Sequence, residues 1–385
     1  MISPESFYSS LASEGVSFLA GVPDSLLKEF CAYVDAVLPP EAHVISANEG
    51  SAVGLAAGFH LATGQLPMVY LQNSGLGNTI NPLLSLADRE VYSLPLIVLI
   101  GWRGMPGVKD EPQHIKQGRV TPALLDAMEI PWRELGGDPA TAEEAATWAA
   151  ETAKDTSGPV VLLVHKDAFS KAEKRRPAAV MDGAQMSREH AISAITSTLS
   201  SHSVIVSTTG MISRELYEQR VNQDQDRSSD FLTVGSMGHA SQIALGISRA
   251  RPELSVVCLD GDGSVLMHMG GLASIGATDV GNLLHIVLNN GVHDSVGGQP
   301  TVAQQVSLSG VAAACGYDTV AQTVASESEL VDAIRKLDSI PGRRFLEVLV
   351  QPGSRSALGR PKETPIANRD IFVSRLRPVS SQRFW

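Results

Sequence analysis

Short, nearly continuous apolar runs recur along the chain, bounded by Gly, Pro, Asn or Asp. In the first half they fall at 68–72, 96–101 and 160–165; in the second at 204–208, 256–260, 284–289 and 345–350. Unbroken apolar runs of this length suit strands buried on both faces of a parallel sheet, whereas half-exposed strands alternate apolar and polar positions. Between them, 51–63, 239–249 and 270–278 are rich in small residues and read as packed helices. Strand and helix alternate in both halves, so the pattern predicts an α/β protein of two doubly wound parallel-sheet domains.

The stretch 169–187 breaks the pattern with a charge cluster, a proline and no periodicity, which predicts a solvated linker between domains at 1–168 and 188–385. The chain after Gly353 reads as irregular and basic.

Composition narrows the field. Hydrophobic residues make up 43% and charged residues 18%, the profile of a folded globular protein. A formal net charge of −11 argues against a broad nucleic-acid surface, and an anionic ligand would need a local basic pocket. Cys31, Cys258 and Cys315 have no metal-ligand spacing and read as reduced thiols, consistent with the cytoplasm. The N-terminal residues lack a basic start followed by an apolar run, and no run approaches the length of a bilayer span, so neither a signal peptide nor membrane association is expected.

The strongest chemical signal is Asp-Gly-Asp-Gly-Ser at 260–264, where a strand ends and a helical stretch starts. Ligands of doubly wound sheets bind at such strand ends. Gly261 and Gly263 allow a tight turn and close approach of backbone amides to a phosphate, and Asp262 offers a hard oxygen to Mg2+. A Gly-Asp-Gly turn alone is common in α/β proteins. A second strand ends in Asn289–Asn290, and Asn290 lies 28 positions after Asp262, about one helix and one strand away. That path returns Asn290 beside Asp262 with the mixed oxygen set that magnesium accepts.

Asp-Gly-Asp-Gly-Ser followed by Asn-Asn resembles the thiamine-diphosphate enzymes related to pyruvate decarboxylase. The resemblance implies thiamine diphosphate and Mg2+ as cofactors, with the metal on Asp262, the Asn290 side chain and the Val292 backbone oxygen. Asn289 would support the turn. Gly261, Gly263 and Ser264, with Thr209 and Gly210, would hold the diphosphate. In the segment Gly235-Ser236-Met237-Gly238 the Gly235 carbonyl would accept a hydrogen bond from the aminopyrimidine, and Met237 would bend the cofactor. Glu49, at the start of a small-residue helix, reads by itself as a helix-dipole partner; the resemblance implies that it hydrogen-bonds the pyrimidine. It further implies that Glu49 and Asp262 meet across two subunits, in a homodimer or larger homo-oligomer.

Over nearly the whole chain, the segments at 21–30, 72–88, 99–114, 236–246 and 289–301 are similar to the phosphonopyruvate decarboxylase family, as is the lack of a middle domain. The implied reaction converts 3-phosphonopyruvate to phosphonoacetaldehyde and CO2, in phosphonate biosynthesis. Asp24, His114, His293 and Asp294 are candidates for proton handling, and each could equally be structural. Ser25, Asn73, Arg103, Lys109, Gln299 and Arg360 are candidates for holding the phosphonate or carboxylate, a task for which arginine is well shaped. Where that family often has an acidic residue before Leu-Gly-Arg-Pro, this chain has Ala357. Competing readings are a sulfopyruvate decarboxylase, a transferase using the same cofactor, and a non-enzymatic cofactor-binding protein.

Overall fold

A computed structural model describes residues 1–177 and 180–377. The chain forms two compact units, one of residues 1–178 with Ser295–Pro300, the other of 179–294 with 301–385.

The first unit holds six parallel strands, β1 (Val16–Gly21), β2 (His43–Ile45), β3 (Leu66–Gln72), β4 (Leu96–Gly101), β5 (Trp132–Leu135) and β6 (Pro159–Val164). Their order across the sheet is β2-β1-β3-β4-β6-β5. Successive residues of β4 enter different clusters: Ile97 and Leu99 join one apolar core, Val98 and Ile100 the other. Both faces are therefore covered, the reason these strands read as continuous apolar runs.

The second unit repeats the arrangement with β7 (Val204–Ser207), β8 (Asp230–Leu232), β9 (Val256–Gly261), β10 (Asn282–Asn289), β11 (Asp318–Thr319) and β12 (Gly342–Leu349), in the order β11-β12-β10-β9-β7-β8. Taken in chain order, the two sheets share one topology, and in each the winding reverses direction between the first and third strands. Ligands of such sheets sit at that reversal, outside the carboxyl ends of the strands. Here the points lie after β1 and β3, and after β7 and β9. Among the described residues no helix is long and apolar enough to cross a membrane.

Three sequence expectations change. The stretch 169–187 is not solvated throughout. Phe169 packs against Phe7 and Phe30 with centroids 5.5 Å away in each case, and Met186 belongs to the apolar core of the second unit. Its basic run is neutralised locally: Lys174 pairs with Glu5, Arg175 with Glu29 and Arg176 with Asp35. The chain beyond Gly353 is not wholly irregular, because Pro365–Leu376 is a helix capped by the Thr364 side chain. It buries only Phe372, so it leaves little apolar periodicity to read. Finally, Cys258 does keep company with potential ligands. Cross-strand pairing sets His285 opposite it, and with Asp260 their ligand atoms lie within 4.8 Å of one another, all buried. His285 Nε2 lies 3.3 Å from Asp260 Oδ2.

Candidate active site

In the first unit, Glu49 opens the helix Glu49–Thr63, whose start is capped by Asn48: its Oδ1 accepts from the Gly50 amide at 2.8 Å. The Glu49 side chain is buried, and its Oε2 accepts from Asn78 Nδ2 at 2.7 Å. Gly75 makes that position possible, since a Cβ there would stand 2.2 Å from Glu49 Oε1. Burial raises the Glu49 pKa, and the Asn78 hydrogen bond opposes the rise.

The loops after β1, β3 and β4 bring together several of the sequence candidates. Asp24 is fully buried, with Oδ2 accepting from the Leu26 amide at 3.1 Å. Gly101, the last residue of β4, leaves the space, because a Cβ there would meet Asp24 Oδ2 at 1.9 Å. Burial pushes the Asp24 carboxyl up to about 6 against the opposing charge of Arg103. Arg103 donates from Nη1 to Ser25 Oγ at 2.8 Å and grips Asp110 with Nε and Nη2 at 2.8 and 2.5 Å. Burial acts to raise the Asp110 pKa, yet that grip and the amides of Glu111 and Gly104 hold it well below the usual carboxylate range.

His114 lies in the first turn of the helix Pro112–Ala127 and not in a loop. It is buried with Nδ1 unpartnered, and burial lowers its pKa. Gln299 is buried, and its Oε1 makes no hydrogen bond.

Two further substrate candidates, Asn73 and Lys109, lie beside or on the loop that carries Arg103. The Asn73 amide is committed to structure: Nδ2 donates to the Arg103 carbonyl at 2.8 Å and to Thr121 Oγ1 at 3.1 Å, while Oδ1 accepts from the Arg103 amide at 3.1 Å. It braces the loop that carries Arg103. Lys109, on that loop, is exposed, and the ion pair to Asp110 is made by Arg103.

In the second unit, Asp262 is the first residue of the helix Asp262–Met267, directly after β9, and is 2% exposed. Its Oδ2 accepts from the Thr301 hydroxyl at 2.5 Å. Burial pushes its carboxyl up to about 6; the Thr301 hydroxyl and backbone amides, including that of Asn290, oppose the rise. Asn290 has thus returned beside Asp262. Its Oδ1 accepts from the Val292 amide at 3.2 Å, and Nδ2 donates to Asp294 at 2.7 Å. Asn289 braces the turn, donating to Glu347 at 2.8 Å and accepting the Gly291 amide at 3.0 Å.

Across the second reversal point, Ser264 Oγ lies 2.9 Å from Thr208 Oγ1 and accepts from the Gly238 amide at 3.0 Å. One hydroxyl therefore ties the diphosphate-side helix start to the Gly235–Gly238 loop. Thr208, rather than Thr209, makes this contact; Thr209 and Gly210 are half-buried at the entry to the helix Met211–Asn222. Gly235 and Met237 are half-buried, and Ser236 is exposed with φ of 53°. Met237 Cε and His293 Cε1 lie 3.5 and 3.1 Å from where a Cβ on Gly263 would stand, so loop, helix start and His293 share one corner. Burial lowers the His293 pKa to about 4, leaving a neutral ring at neutral pH. Gly261 has no such crowding, and Arg360 is exposed.

Asp294 is held by several donors. Its Oδ2 accepts from Arg188 Nη1 at 2.6 Å as well as from Asn290, and both carboxylate oxygens accept from the Gly353 amide at 3.1 Å. A carboxylate so occupied supports its neighbours and has little capacity left to move protons. Arg188 itself escaped the sequence reading. Its signal is a cation in the first turn of a helix, where the dipole disfavours it unless anions are near. Asn78, Asp110 and Thr301 carry no comparable local signal.

The donor set fits a divalent cation and its diphosphate. A buried carboxylate hydrogen-bonded only by neutral donors stands at a helix start, and the loop carrying the Asn290 amide oxygen returns beside it, so hard oxygens are at hand. These features of the second doubly wound unit suit a diphosphate-bearing cofactor. The description "Thiamine pyrophosphate enzyme, N-terminal TPP binding domain" matches residues 4–130, and "Thiamine pyrophosphate enzyme, C-terminal TPP binding domain" matches 208–348. The phosphonopyruvate decarboxylase of Streptomyces viridochromogenes is 38% identical, covering 95% of this chain and 92% of that protein. That of Streptomyces hygroscopicus is 36% identical with the same coverage of 95% and 92%. The sulfopyruvate decarboxylase of Methanosarcina acetivorans is 30% identical over 89% of this chain and 90% of that protein. Among solved structures, a Rhodococcus jostii thiamine diphosphate-dependent 4-hydroxybenzoylformate decarboxylase covers 92% of this chain and 100% of that chain at 15% identity and a TM-score of 0.37, too slight a likeness to support an inference. The chain belongs to the thiamine-diphosphate-dependent decarboxylases and, within them, to the phosphonopyruvate decarboxylase family.

Proposed function

We propose that this chain decarboxylates 3-phosphonopyruvate to phosphonoacetaldehyde and CO2, using thiamine diphosphate and Mg2+. The observation that carries the substrate is the greater identity to the two phosphonopyruvate decarboxylases, 38% and 36%, than to the sulfopyruvate decarboxylase, 30%. When bound, thiamine diphosphate supplies the electron sink for the carbon that loses CO2. Asp262, Asn290 and the Val292 carbonyl hold the metal, and the helix start at Gly263 and Ser264 receives the diphosphate. Gly235 and Met237 seat the rings. Glu49, its pKa raised by burial, hydrogen-bonds the pyrimidine.

Arg103, with Ser25 at its Nη1, is the cation this reading assigns to the substrate's anionic end. Asp24 and His114, in the same unit, are poised for proton handling at a neighbouring atom, as is His293 beside Gly263. The family resemblance sets Glu49 and Asp262 together across two subunits, so the reading includes a homo-oligomer with shared sites. Free cysteines, two of them buried, fit a reducing compartment such as the cytoplasm.

A pocket with buried donors built for a phosphonate leaves them unpaired when pyruvate binds, which supports discrimination of roughly 10⁴ to 10⁵ in kcat/KM. Side-by-side kcat/KM values for phosphonopyruvate, sulfopyruvate and pyruvate test the proposal. Phosphonopyruvate should rank first and pyruvate last. Comparable values for phosphonopyruvate and pyruvate would overturn the substrate, and preference for sulfopyruvate would select the alternative.

A further inference from the structure

We infer that Asp294, clamped by Arg188, is a positioning residue that fixes the Asn290 side-chain amide and thereby sets how tightly the metal is held. The inference rests on reading Asp262, Asn290 and Val292 as the metal site.

An asparagine amide has two orientations that differ by exchanging oxygen and nitrogen. Here both ends are specified. Nδ2 donates to Asp294 Oδ2 at 2.7 Å, and Oδ1 accepts from the Val292 amide at 3.2 Å. The flipped amide would set its oxygen against a carboxylate and its NH2 against a backbone N–H. Asp294 thus selects the orientation that offers an oxygen on the Val292 side, where the loop returns beside Asp262.

The carboxylate that makes this selection is itself held. Arg188 is 4% exposed and lies at the start of the helix Arg188–Thr198. Its Nη1 donates to Asp294 Oδ2 at 2.6 Å, and Nε and Nη2 grip Glu215 at 2.7 and 2.8 Å. A planar guanidinium fixed along one edge presents its remaining donor in a single direction. Nη2 also donates to the Gly353 carbonyl at 3.2 Å, while the Gly353 amide donates back to Asp294. The clamp keeps Asp294 neutralised and turned to its donors, so that it serves the amide without competing for the cation.

Residues that orient metal ligands in this way are worth roughly 10- to 100-fold in metal affinity. The test uses Mn2+ as the probe, with thiamine diphosphate present and unbound Mn2+ read by electron paramagnetic resonance. Asp294→Asn should weaken Mn2+ binding by that factor and keep kcat at saturating Mn2+ within a few-fold of wild type. Wild-type Mn2+ affinity in this variant would overturn the inference. So would unchanged affinity with a large loss of kcat, which would make Asp294 a catalytic residue. Should Asp294→Asn not fold, Arg188→Lys keeps the charge and loses the fork; a smaller loss of affinity is expected, and wild-type affinity again overturns the inference. Failure of the wild-type protein itself to bind Mn2+ with thiamine diphosphate would instead remove the metal-site reading beneath it.

Discussion

The Asn78 side-chain amide donates to Glu49 Oε2 at 2.7 Å, joining the first residue of one helix to a residue of the helix Leu76–Pro82. The bond acts against burial: desolvation raises the Glu49 pKa, and the amide dipole favours the charged form. A carboxyl balanced in this way can donate to a ring nitrogen and recover its proton.

Glu49→Gln should therefore bind thiamine diphosphate and Mg2+ within a few-fold of wild type by calorimetric titration. Turnover should fall by roughly 10² to 10⁴, the range for positioned acid–base groups. A kcat close to wild type would reduce Glu49 to a helix-start residue.

Glu49 stands after β2 in the first unit and Asp262 after β9 in the second. With sites shared between subunits, Asp262→Ala should lose metal-dependent cofactor retention, and Glu49→Gln should lose turnover, each alone. Mixing the two after subunit exchange should restore part of the activity through hybrid sites holding both intact residues. Sedimentation run alongside the assay decides the case, and an active monomer would refute the shared arrangement.

Asp24 makes the stability of the cofactor-free protein depend on pH. Its carboxyl titrates near 6, against 3.8 ordinarily, because burial disfavours the charge. A folded pKa above the unfolded one means that the native state binds the proton more tightly. Asp24's contribution is thus complete below about pH 4 and is lost as pH rises through about 6. The rise from 3.8 to about 6 corresponds to roughly 3 kcal/mol. Asp24→Asn lacks this titration, so its urea midpoint should gain on wild type as pH rises from about 4 to about 7. A difference between the two proteins that does not vary with pH would show that Asp24 titrates normally in the fold.

Local pattern carried much of the architecture. Runs such as 96–101 and 256–259 are apolar throughout because both faces of each strand are buried, and the structure finds β4 and β9 there. The short edge strands β5, β8 and β11 were not legible. An edge strand is paired on one side only and, at two to four residues, needs no continuous apolar run. At the site, Asp262 and Asn290 could be matched because each stands at a strand end, and adjacent strands place such ends side by side. Lys109 and Asn73 looked equally suited to an anion. Whether a polar side chain faces a ligand or braces a loop depends on partners remote in sequence, as Asn73 depends on Arg103 and Thr121.

The sequence by itself determined the alternation of strand and helix, the two halves, and the glycine-rich turn with its paired asparagines. Each of these is written in neighbours a few residues apart, through burial periodicity and backbone freedom. Tertiary structure alone decided that Arg188 holds Asp294, that Asn78 holds Glu49, and that Asp24 and Asp262 lose enough water to titrate near 6. Desolvation and hydrogen bonding act over a few ångströms of space, and the residues that supply them here lie 29 and 106 positions away from those they hold.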